Sequence, residues 1–97
     1  MIDGTYNVML KTPMGVKKGE LIISSENSVM TGKLVVMGND NLLETVNIDG
    51  NHFIFTGEIK TAMGKVSYQC TGSVDGDNIE GIAKTKKGNM SLSGKRK

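Results

Sequence analysis

Three methionines and a set of lysines offer the plainest chemistry in this 97-residue chain. The stretch Lys11-Thr12-Pro13-Met14-Gly15 returns as Lys60-Thr61-Ala62-Met63-Gly64, and Lys84-Thr85-Lys86-Lys87-Gly88 is a worn third copy. A fourth and poorer version, Val35-Val36-Met37-Gly38-Asn39, contributes Met37. Ammonium groups beside soft thioethers suit an amphiphile with an acidic head. The lysines attract the anion, and the methionines adapt to an apolar body. On this reading Met14, Met37 and Met63 act as a lid, with Lys11, Lys60 and Lys65 as the charge partners. The alternative is that the methionines plug an open end of the fold while the lysines keep that end soluble.

Other chemistries find no constellation. His52 is the sole histidine; it follows Asp49-Gly50-Asn51 and reads as a turn residue, so no nucleophile and base can be paired and no catalytic activity is expected. Cys70, the one cysteine, alternates with apolar neighbours and reads as a small buried hydrophobe rather than a reactive thiol. It also excludes an intrachain disulfide, and with no signal-peptide pattern at the start the expected compartment is the cytoplasm. Clustered His and Cys are missing, and Asp75-Gly76-Asp77 is a hairpin turn rather than a calcium loop, so no metal or cofactor is expected. Gly64-Lys65 lacks the rest of a phosphate loop. A net charge of +2, with four aromatics that all read as inward, argues against nucleic acid. No apolar run reaches the length of a membrane-spanning helix.

The elements that position these residues are strands. Thirteen glycines and one proline point to many short strands with tight turns. Gly15, Gly38, Gly64 and Gly88 recur about every 24 residues, and each divides a hairpin. Gly32, Gly57 and Gly81 form a second series inside strand patterns, where a missing side chain lets a strand bend round a barrel corner. The predicted strands are 4–12, 16–24, 28–37, 41–49, 52–61, 65–74, 78–85 and 89–96. Alternation assigns an inward face to Tyr6, Val8 and Leu10, to Leu21 and Ile23, to Met30, Leu34 and Val36, and to Val46 and Ile48. It does the same for Phe53, Phe55 and Ile59, for Val66, Tyr68, Cys70 and Val74, for Ile79 and Ala83, and for Met90 and Leu92. Ile22, Val35, Leu43, Ile54 and Ile82 are expected to point outward, adding apolar surface that could serve a homodimer.

Eight successive antiparallel strands with one apolar face predict an all-β, up-and-down barrel, closed so that no edge is left exposed. The chain reads as one domain, 1–97. Residues 40–45 are the exception, because Leu42-Leu43 breaks the alternation. That segment is either strand or a helical turn, and a bulge or turn that leaves Glu44 in water is preferred to a buried carboxylate.

An up-and-down order puts the four glycine turns on one rim. That rim carries Lys11, Lys17, Lys18, Lys60, Lys65, Lys84, Lys86 and Lys87 against Asp40, with the methionines at its tips. The other rim carries Asp3, Glu26, Asp49, Asp75, Asp77 and Glu80, relieved by Lys95, Arg96 and Lys97.

The two ends of the chain resemble a family. Ile2-Asp3-Gly4-Thr5-Tyr6-Asn7-Val8 is similar to the Gly-x-Trp first strand of calycin barrels, the group containing lipocalins, fatty-acid-binding proteins and avidins. Leu92-Ser93-Gly94-Lys95-Arg96 resembles their last strand, whose basic side chain packs over that aromatic. The resemblance implies a cation over a ring, Arg96 on Tyr6, closing first strand against last. Over the whole length the sequence more closely resembles short bacterial barrel domains of unassigned function, through Lys-Thr-Pro-Met-Gly, Val-Asp-Gly-Asp and Gly-x-Ala-Lys-Thr. That likeness implies a fold and no activity. The chain has no tryptophan for an avidin-type biotin pocket and no Arg-x-Tyr pair for a fatty-acid headgroup. The expected partner is a small hydrophobic or amphipathic anionic ligand at the Met/Lys rim, or else, with a filled barrel and no ligand, a second copy or a larger enzyme docked on an outer sheet face.

Overall fold

A computed structural model describes residues 3–12, 15–26, 29–36, 38–61, 64–86 and 88–97. Eight strands follow in chain order: β1 (Gly4–Thr12), β2 (Gly15–Glu26), β3 (Val29–Val36), β4 (Asn39–Asp49), β5 (His52–Thr61), β6 (Gly64–Asp75), β7 (Asn78–Thr85) and β8 (Gly88–Arg96). Each pairs antiparallel with the next, and β8 pairs back to β1, so the sheet closes as an up-and-down barrel. The alternation read from the sequence is what closure requires, because one face of every strand must fill the interior while the other meets water.

The Lys-Thr-x-x-Gly repeat is a structural unit. In its three copies the ladder ends on Thr12–Gly15, Thr61–Gly64 and Thr85–Gly88. The glycines open the outgoing strands at φ of 113°, 105° and 125°, a region that L side chains rarely adopt. The threonine is there for a reason too: Thr12 Oγ1 donates to the Gly15 carbonyl at 2.8 Å, and Thr85 Oγ1 to that of Gly88 at 2.6 Å. The supposed fourth copy is a different turn. There Val36 pairs with Asn39, and Gly38 lies within the loop at φ 75°.

The interior is packed with side chains. Tyr6, Val8, Leu10, Leu21, Ile23, Leu34, Val36, Phe53, Phe55, Ile59, Tyr68, Cys70, Val74, Ile79, Ala83, Met90 and Leu92 form one buried cluster, all of them positions that alternation turned inward. Phe53 and Phe55 stack at 5.4 Å between centroids, and Tyr68 meets Phe55 edge-on at 6.0 Å.

Residues 40–45 are strand, not a helical turn. The ladder between β4 and β5 slips between Leu43 and Thr45, so Glu44 and Thr45 both face water. The bulge therefore spares the carboxylate from burial, as preferred on energetic grounds. It also corrects two assignments. Leu43, expected outward, packs against the core, and Asn41, assigned no inward role, is buried. The physical reason is that the extra residue restores the phase: 41 and 43 point inward before the bulge, 46 and 48 after it.

The first and last strands close firmly. Six residue pairs join β1 to β8, from Tyr6–Arg96 to Lys11–Ser91. The Arg96 guanidinium lies over the Tyr6 ring, 5.2 Å from its centroid, and its Nη2 donates to the Tyr6 hydroxyl at 2.8 Å. The closure inferred from the terminal motifs is thus present, with a hydrogen bond added to the cation–π contact. Beside it the Lys97 amide donates to the Thr5 carbonyl at 2.8 Å, and the Lys97 ammonium pairs with Glu20.

Candidate functional site

The closed strand order brings the β1–β2, β3–β4, β5–β6 and β7–β8 connections to one end of the barrel. Lys11, Lys60 and Lys65 all stand exposed there. Lys60 and Lys65 are direct ladder partners across β5 and β6, whereas Lys11 faces Val16 and Lys84 faces Asn89. Like charges placed opposite one another repel. Asp40, the acid counted against this ring, is engaged by Lys33 at 3.7 Å. Glu58 lies one outward position below Lys60 and tempers the field on that side. Met14, Met37 and Met63, assigned as the lid, lie outside the described residues, as does Lys87. Under the rim the inward side chains Leu10, Val36, Ile59 and Met90 are buried, so this end has an apolar floor.

One part of this end was missed. Asn41 is 5% exposed, and its side chain joins three strands. Its Nδ2 donates to the carbonyls of Leu34 on β3 (3.1 Å) and Asn39 (3.2 Å), while its Oδ1 accepts from the Lys60 amide on β5 (3.3 Å). The β4–β5 ladder stops at Leu43–Gly57, and the amide group at Lys60 would otherwise face β4 with no ladder partner. The signal in the sequence was the phase of Asn41 with Leu43, hidden by the adjacent leucines.

The wall is weakest between β3 and β4. Among the described residues four pairs join them, from Lys33–Leu42 to Val36–Asn39. Below that point residues 29–32 of β3 have no ladder partner on β4. The inward side chains Met30, Leu43, Val46 and Ile48 are correspondingly only partly buried. At the head of this splay the Leu43 side chain covers Gly32, where a Cβ would come within 2.5 Å of Leu43 Cδ1.

Tyr68 reaches toward the same place. From β6 its ring crosses Gly57 of β5, where a Cβ would lie 2.9 Å from the phenolic oxygen, and Gly57 is the ladder partner of Leu43. The hydroxyl is buried and has no hydrogen-bond partner among the described residues. Burial raises its pKa well above that of an ordinary phenol, with Cys70 and the Glu44 carboxylate adding to the shift, so it remains a neutral donor. Burial likewise pushes the Cys70 thiol up to about 12, which makes it inert as a nucleophile and agrees with the sequence reading.

His52 sits exposed beside its turn, paired with Asp49. No group of three or more His, Cys, Asp or Glu among the described residues is placed to hold a metal ion. Two shallow depressions open on the outer face on either side of β8. One is bordered by Asp75 and Glu80, the other by Lys18 and Lys95, and the close backbone approach at Gly94 is common to both.

Comparison with known proteins places the architecture and nothing finer. No family model matches the chain, and no curated protein matches it. Among solved structures it resembles a redesigned β-barrel, with a TM-score of 0.74 and 12% identity over 99% of this chain and 91% of the other. It also resembles a de novo designed fluorescence-activating β-barrel, with a TM-score of 0.59 and 15% identity over 99% and 94%. The class is therefore a small closed barrel of eight antiparallel strands, and the solved neighbours are designed barrels rather than calycins.

Proposed function

We propose that this chain is a non-catalytic binding module whose basic rim takes a small amphipathic anion. The observation that carries the reading is the direct opposition of Lys60 and Lys65 across the β5–β6 ladder, with Lys11 and Lys84 on the same rim. An anionic head group bridging the two ammoniums converts a repulsive pair into an attractive one. The apolar floor of Leu10, Val36, Ile59 and Met90 offers contact for the rest of the molecule. From the sequence pattern alone, Met14, Met37 and Met63, which lie outside the described residues, are assigned as its lid, and the Tyr6–Arg96 clasp belongs to a calycin-like closure. A fluorescence-activating barrel shares this fold; at 15% identity it supports the scaffold alone. The single cysteine is free and buried, which fits a cytoplasmic setting.

The test is calorimetric titration with dodecanoate and dodecyl sulfate at low and high salt. Saturable binding, weakened about tenfold by the double substitution Lys60→Ala, Lys65→Ala and by salt, is expected from the loss of two partly desolvated charge contacts. Absence of binding to either amphiphile, together with no retained ligand in native mass spectra of gently purified protein, overturns the reading. A homodimer is the second reading. Ile54 and Ile82 flank Thr71 in one outward row and are 42% and 47% exposed. Light scattering at high micromolar concentration decides it, and a strict monomer excludes it.

A further inference from the structure

We propose that the splayed seam between β3 and β4 admits a second kind of ligand, a small uncharged and mostly apolar molecule whose hydrogen-bond acceptor is met by the Tyr68 hydroxyl. This site is separate from the basic rim, and two independent observations converge on it. The first is the wall itself. After four residue pairs the β3–β4 ladder ends, and Met30, Leu43, Val46 and Ile48 face inward without being sealed. An inward apolar side chain in a filled barrel is normally covered by the neighbouring strand, and these lie where that cover is missing.

The second observation is the orphaned donor. Tyr68 is 5% exposed, its oxygen has no partner among the described residues, and the glycine it crosses is paired with Leu43 at the head of the splay. A buried hydroxyl without a partner is costly, and such groups in folded proteins usually mark a bound water or a ligand contact. Leu43 covers Gly32 and is the ladder partner of Gly57, over which the Tyr68 oxygen lies, so on this proposal Leu43 is the side chain that swings aside to let the ligand reach that oxygen.

The charge around the entrance selects against the amphiphile of the rim. Glu44 and Asp49 stand exposed on β4 beside the seam, and Lys33 across from Leu42 is already engaged by Asp40. An anion is repelled at the mouth, and a cation loses its hydration among Met30, Val46 and Ile48. A neutral molecule with a carbonyl or ether oxygen meets neither obstacle.

Two neutral dyes separate the parts of the proposal. Nile red carries a carbonyl acceptor, and 1,6-diphenylhexatriene has no polar atom. Both are expected to show saturable fluorescence enhancement with the full chain. Tyr68→Phe is expected to weaken Nile red about fivefold, the worth of one neutral hydrogen bond, and to leave diphenylhexatriene unchanged. Val46→Trp fills the seam and weakens both, whereas the double substitution Lys60→Ala, Lys65→Ala changes neither, which keeps this site distinct from the rim. Should Val46→Trp fail to fold, methyl chemical shifts of Leu43, Val46 and Ile48 in the unmodified protein provide the second readout, and all three are expected to move with Nile red. The proposal is overturned if neither dye saturates, if Tyr68→Phe affects both dyes alike or neither, or if the shifts cluster at Leu10 and Ile59 instead.

Discussion

The two seams that β1 and β3 make with β8 and β4 are built from the same alternating strands yet reach opposite states. At β1–β8 six residue pairs are reinforced by the Arg96–Tyr6 contact, the Lys97–Thr5 hydrogen bond and the Lys97–Glu20 ion pair. At β3–β4 four pairs join the described residues, and the interstrand side-chain support includes Asn41 and the Lys33–Asp40 pair. The last seam to form a barrel must be held against the entropy of both chain ends, and here it carries the stronger contacts. A hairpin held by its own short turn needs less, and can afford to diverge. Local opening is therefore expected at residues 29–32 before it is seen at residues 5–10.

Glycine substitutions probe the contrast most strongly. At Gly94 a Cβ would fall 2.0 Å from the Asn7 carbonyl oxygen, a backbone atom in the tight seam. Gly94→Ala is expected to cost about 3 kcal/mol or more in denaturant unfolding. At Gly32 the nearest atom is the tip of the Leu43 side chain at 2.5 Å, which can swing aside, so Gly32→Ala is expected to cost about 1 kcal/mol. Equal costs would erase the distinction between the seams.

Asn41→Ala comes next. It strips the Lys60 amide and the Leu34 carbonyl of a partner, with an expected loss of about 2 kcal/mol and faster hydrogen exchange at Lys60. A loss confined to β3 with the Lys60 amide still protected would show that the side chain does not bridge to β5. Tyr68→Phe has the opposite sign: in ligand-free protein, removal of an unpartnered buried hydroxyl is expected to stabilise by about 1 kcal/mol. A destabilised variant would mean that a bound water already satisfies the oxygen.

At the tight seam a double-mutant cycle of Tyr6→Ala and Arg96→Ala should return a coupling of about 1 kcal/mol, and additive effects would remove the clasp. The smallest effect belongs to Asp3, whose carboxylate accepts a hydrogen bond from the Ser25 hydroxyl at 2.6 Å. That bond, with backbone contacts, holds its pKa below the ordinary carboxylate value. A depressed carboxylate adds stability that is present above its unfolded pKa and lost as pH falls through the folded value. The acid limb of the stability curve should therefore be slightly shallower in Asp3→Asn, as read by thermal unfolding from roughly pH 5 downward.

Much of the barrel was legible because its information is local. Alternation at Tyr6, Val8 and Leu10 or at Tyr68, Cys70 and Val74 needs only the chain's own period of two, and the Lys-Thr-x-x-Gly turns announce themselves by repetition. The basic rim was legible for the same reason, since turn order alone brings Lys11, Lys60 and Lys65 to one end. Leu43 and Asn41 were misassigned because a bulge shifts phase, and a phase shift in two adjacent leucines looks the same as a lost strand. Gly57 stood out as a glycine inside a strand pattern, but nothing in the sequence says that Tyr68 is the side chain that crosses it.

What the sequence by itself determined is therefore the list of strands, their inward faces, their hairpin turns and the aromatic–arginine pair that joins the ends. The tertiary structure alone decided where the ladders stop, which inward side chains stay uncovered, and which buried oxygen is left without a partner. The physical reason is that side-chain alternation belongs to one strand, while the reach of a ladder depends on how two neighbouring strands twist and bulge against each other.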